Sequence, residues 1–99
     1  WINAFGRVIR GAPALEAFMR ERMFPAFDQA VSKADAAAMT RISTRYLGDD
    51  AAVLHFYTRS PRGVARDGSE EPRLTYVHAV LEKVDGDWKF AHVAIMDAR

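Results

Sequence analysis

The stretch RLTYVHAVLEKVDGDWKFAHVAIMD, residues 73–97, decides the fold. Two runs rich in β-branched and aromatic residues flank Asp85-Gly86, a pair that tolerates positive φ and so marks a hairpin. Alternation along Arg73 to Val84 sets Leu74, Tyr76, His78 and Val80 on one side, with Thr75, Val77, Ala79 and Leu81 on the other. Along Trp88 to Asp97 the same rule sets Trp88, Phe90, His92, Ala94 and Met96 against Ala91, Val93 and Ile95. Both faces are apolar, whereas an antiparallel sheet in a small monomer normally leaves one face wet. One helix cannot cover two faces. The second face must meet another copy, a missing segment or a ligand.

Working outward, Ala51 to Ser60 (AAVLHFYTRS) reads as a further strand. Before it, Thr40, Ile42, Thr44 and Tyr46 alternate with Arg41, Ser43 and Arg45, and Gly48-Asp49-Asp50 supplies a turn. Ser60 to Pro72, with its prolines, glycines and charges, reads as a surface loop. Residues 28–35 are polar and without period, which reads as connection. Leu15, Phe18, Met19 and Met23 recur at helical spacing between Pro13, suited to a first turn, and Pro25, which closes the helix. Glu16 is placed in the opening turn, near the positive end of the helix dipole. Trp1 to Arg10 reads as a short hairpin or bulged strand broken at Gly6-Arg7. One helix followed by a meander means an α+β domain over 1–99, with helix 13–24 packed on the concave side of a bent sheet.

Composition removes whole classes of function. The chain has 99 residues, 49% of them apolar, and 14 basic against 13 acidic side chains, so neither disorder nor an electrostatic case for nucleic acid arises. No apolar run approaches the ~18 residues of a membrane span, and no signal peptide opens the chain. The expectation is a cytoplasmic protein without nucleic-acid or membrane partners. Without cysteine there is no disulfide, no thiolate nucleophile and no cysteine-ligated metal. A dinucleotide fingerprint, a phosphate loop and a serine-nucleophile motif are all missing. The chain opens at Trp1 rather than Met, as a fragment or processed form would.

Three stretches carry a resemblance: WINAFGRVIRGAPALEAF (1–18), LGDDAAVLHFYTR (47–59) and residues 73–97. In order and spacing they resemble the nuclear-transport-factor-2-like superfamily, specifically its SnoaL-like and ketosteroid-isomerase-like small bacterial domains. The closing hairpin, Val84 to His92, is the sharpest piece. With residues 47–60 it is also similar to the association domain of calcium/calmodulin-dependent protein kinase II, a relative that assembles rather than catalyses. The resemblance implies a cone-like, strongly curved antiparallel or mixed sheet wrapping helices, a cystatin-like roll with an apolar pocket at its open end. It implies homodimerisation through the outer sheet face. It also implies that the long helix which precedes WINAF in the family is missing from this chain, and one pocket wall with it.

The residues able to carry chemistry are the three histidines, His55, His78 and His92, all on strands. A type I turn with a Gly bulge at Asp85-Gly86 would set Lys83 against Asp87 and His78 directly opposite His92. A two-residue turn would slip the register by one and part the histidines to opposite faces. The shared face is the reading adopted, because the Trp88/Phe90 side has the bulk a hollow cone needs, while Val77, Ala79, Ala91 and Val93 form a flat surface suited to dimerisation. On it His78, His92 and Tyr57 are the candidate catalytic residues: a neutral His removes a proton next to a carbonyl, and a Tyr hydroxyl donates to the oxyanion. Trp1, Phe5, Phe18, His55, Tyr76, Phe90 and Met96 are the candidate ligand contacts. The same His and Tyr are equally at home as satisfied core or interface side chains. No two histidines share helical ligand spacing and no carboxylate accompanies them, so neither metal nor cofactor is expected.

Two functions remain. One is a small apolar-ligand-binding domain of the SnoaL-like type, with isomerase, cyclase or dehydratase acid–base chemistry as its activity. The other is a non-catalytic homodimeric binding or assembly module. A base inside the cavity separates them.

Overall fold

The structure, a computed structural model, describes residues 1–26, 29–60 and 73–98. The helices are α1 (Ala12–Phe18) and α2 (Gln29–Ala37), and the strands are β1 (Thr40–Tyr46), β2 (Ala51–Ser60), β3 (Arg73–Val84) and β4 (Asp87–Ala98). The four strands form one open antiparallel sheet in the order β1-β2-β3-β4. Alternation thus gave the strands their bounds to within a residue. The loop expected at 60–72 lies, from residue 61 on, outside the described residues. No helix among the described residues is long and apolar enough to cross a membrane.

The first ten residues make the expected hairpin. Ile2 bridges Val8, and its other edge bridges Ala94 of β4 in parallel. Gly11, at φ +83°, then turns the chain into α1. Helical structure runs past Phe18 through a π-turn over Met19–Met23 and a 3₁₀ turn over Phe24–Ala26. The Phe24 amide donates to the Met19 carbonyl, five residues back. The widened turn leads straight into Pro25, whose ring clashes with the carbonyl four residues before it in a regular helix. Glu16 falls beyond the first turn of α1 and pairs with Arg20 at 3.3 Å instead.

Residues 28–35 are corrected: Gln29–Ala37 is a helix. Its apolar members are Val31 and four alanines, too small to write a periodic stripe, so intrinsic helix propensity forms it. Val31, Ser32 and Asp35 make its half-buried face. Ser32 Oγ is buried without a hydrogen-bond partner among the described residues. Ser32→Ala should therefore raise stability by about 1 kcal/mol, visible as a melting point some ~4–8 °C higher; a lower one would place a partner on that hydroxyl.

The β3–β4 register resolves the hairpin in a third way. Asp85 (φ +50°) and Gly86 (φ +84°) form a two-residue turn of the I′ kind closing the pair Val84↔Asp87, so Lys83 faces Trp88 rather than Asp87. Four residues on, Leu81 pairs with Phe90 but Val80 pairs with His92, which leaves Ala91 as a bulge. The bulge restores the parity that the tight turn removed. His78 and His92 share a face, offset by one step, since His78 lies opposite Ala94. Trp88 and Phe90 move to the other face with Leu81 and Lys83.

One face of the sheet therefore carries Val53, His55 and Tyr57 of β2, Tyr76, His78 and Val80 of β3, and His92, Ala94 and Met96 of β4. The other carries Ala52, Val77, Ala79, Val93 and Ile95, with Trp88 and Phe90 toward the turn. Ala52, Val77 and Ala79, the fully buried apolar side chains among the described residues, all belong to this second face. Helical structure lies on the same side. Ile2 aligns with Ala94, so Trp1 stands on the Val93/Ile95 face, and the Phe18 ring packs on it at 5.5 Å. α2 packs against β2. The first helix thus lies on the face that the sequence reading gave to dimerisation, the face that holds the buried Ala52, Val77 and Ala79, and the histidine face is the outer one. Both faces being apolar, alternation had no means of telling them apart.

Candidate functional site

On the outer face, β2 and β3 pair His55 with His78 and Tyr57 with Tyr76 in successive rows. The imidazole centroids are 4.2 Å apart with planes at 59°, and the phenol rings stand at 5.8 Å and 54°. Ser43, opposite His55 on β1, brings its Oγ within 3.4 Å of His55 Nδ1, the long end of a hydrogen bond. Met96 lies opposite Tyr76 and is half exposed, while His92 is exposed beside Val80. The strands hence bring together five of the candidates, His55, His78, Tyr57, Tyr76 and Met96, with His92 one diagonal step away. They sit on an open sheet surface, half-buried by one another.

The remaining candidates lie elsewhere. Phe90 is on the opposite face, 63% exposed, because the Ala91 bulge turns it over. Trp1 and Phe18 pack together on the helix side, with the Arg7 guanidinium 5.1 Å from the Phe18 ring centre. Phe5 sits at the tip of the first hairpin, 76% exposed. Asn3 Oδ1 holds that tip, accepting from the Phe5 and Arg7 amides at 3.1 and 2.8 Å.

Two features escaped the sequence reading. Tyr46 of β1 and Trp88 of β4 meet at 6.2 Å across the two central strands, and Lys83 Nζ stands 5.7 Å from the Trp88 ring centre. That meeting depends on sheet curvature, for which residue pattern carries no signal. The second is an open groove of about 550 Å³ along the first helix, lined by Ala12, Leu15, Glu16, Met19, Arg20 and Phe24. Its stripe was legible as apolar and helical, but the pattern reads as core. Part of it is unfilled, with Phe24 52% exposed.

Chemically, the groove offers apolar contact and one carboxylate already paired with Arg20. The outer face offers imidazole and phenol groups without an enclosing cavity. Among the described residues no three His, Asp or Glu side chains converge as a metal-ligand set. Compared with family models, curated proteins and solved structures, the chain matches none.

Proposed function

We propose that the chain is a SnoaL-like domain of the nuclear-transport-factor-2-like kind, a cone-like roll that binds a small apolar molecule on the helix side and dimerises through its outer, histidine-bearing face. Curvature is supported by the Tyr46–Trp88 contact, since flat strands at ~4.8 Å spacing would hold β1 and β4 about 14 Å apart. The observation that carries the ligand reading is the groove beside Leu15, Met19 and Phe24. At about 550 Å³ it lies within the ~300–1,000 Å³ range of small-molecule sites, and four of its six lining residues, Ala12, Leu15, Met19 and Phe24, are apolar. Burial would drive affinity for an uncharged, flat ligand.

The reading is binding without acid–base chemistry. His78, His92 and Tyr57 are on the far side of the sheet from the groove, and Glu16 is exposed and paired. Met19→Trp tests this by filling the groove. It should weaken binding of the uncharged dye Nile red by about tenfold or more with the circular dichroism spectrum unchanged, whereas His78→Gln should leave binding as it was. Dye binding that survives Met19→Trp and is lost in His78→Gln would move the ligand to the outer face.

A further inference from the structure

His55 and His78 face each other from adjacent antiparallel strands, with ring centroids 4.2 Å apart. Two imidazoles bound to one ion at ~2.0–2.1 Å put their ring centres about 4.5–5 Å apart, and the His55–His78 pair stands close to that separation. The strands fix both Cα positions, which spares most of the ordering that a flexible pair would need. Ser43 supplies an outer partner. In the tautomer whose Nδ1–H donates to Ser43 Oγ, the His55 Nε2 lone pair is left for a metal, the arrangement in which an outer group orients a ligating histidine. Of the rows on either side, Tyr57/Tyr76 is uncharged, while the row Val53/Val80 continues on β1 into Arg45, two strands away from His78.

We propose that His55 and His78 form a two-nitrogen seat for a divalent transition metal, Cu²⁺ ahead of Zn²⁺ in the order expected of imidazole ligands. Both nitrogens come from one chain, so the seat does not need the ligand groove; because the pair lies on the face that the proposed dimer would cover, the titrations are made at protein concentrations below the dimer dissociation range as well as above it. Calorimetric titration of the full chain with Cu²⁺, and with Zn²⁺ in parallel, tests it. Binding should saturate at no more than one ion per chain. His55→Gln and His78→Gln should each abolish it, His92→Gln should leave it intact, and Ser43→Ala should weaken it by about tenfold. In the unaltered protein, substoichiometric Cu²⁺ should broaden the imidazole resonances of His55 and His78 before those of His92, which keeps the test valid if a variant fails to fold. No saturable binding, binding that survives both substitutions, or broadening that begins at His92 would overturn the proposal.

Discussion

Ala79→Glu is expected to leave the chain largely unfolded. Ala79 is 1% exposed, between Leu54 and Val93 on the face that holds the buried apolar side chains. A carboxylate there has no partner, and an unpaired buried charge costs about 3–5 kcal/mol before the overpacking of a small site is added. Domains of this size have roughly 5–15 kcal/mol in all, and each kilocalorie moves the melting point by about 4–8 °C, so the transition should fall by ~20 °C or vanish. Ala91→Glu is the matched control. Sequence alternation puts it on the same face as Ala79, but the bulge leaves it exposed, and the substitution should stay within about ±0.5 kcal/mol. Equal damage from both in thermal unfolding would mean that Ala91 is not bulged.

Tyr76→Glu carries the second large effect, on assembly. Tyr76 sits at the middle of the outer face, between Tyr57 and Met96. Across a two-fold interface one substitution buries a charge in each copy, so the dimer dissociation constant should rise by at least about a thousandfold. Sedimentation equilibrium should show the parent as a dimer at micromolar concentration and the variant as a folded monomer. A monomeric parent would remove the dimer from the proposed function.

Strands were legible because Thr40–Tyr46 alternates, Arg73–Val84 is rich in β-branched and aromatic residues, and both are followed by turn residues. Helix α2 was not, since alanines write no stripe and its formation rests on backbone propensity. The Ala91 bulge was equally silent: the run Trp88-Lys89-Phe90-Ala91-His92 pairs plausibly with or without an extra residue. That single residue decides whether Phe90 joins His78 or opposes it. The pairing of His55 with His78 depends on the β2–β3 register, and apolar residues on both faces left a one-residue slip without an evident penalty. Which face the helices cover was illegible for the same reason. The His and Tyr candidates and Met96 hence share one surface, while Trp1, Phe5, Phe18 and Phe90 lie elsewhere.

The separation of a ligand side from an outer side is tested most directly by a methyl spectrum of the protein labelled at its four methionines. Met19 lines the groove and Met96 lies beside Tyr76 on the outer face. Titration with an uncharged, flat ligand such as Nile red should shift the Met19 methyl and leave Met96 in place, while dilution through the dimer dissociation range should shift Met96 and leave Met19. A ligand that moves Met96 and spares Met19 would contradict the assignment of the two faces.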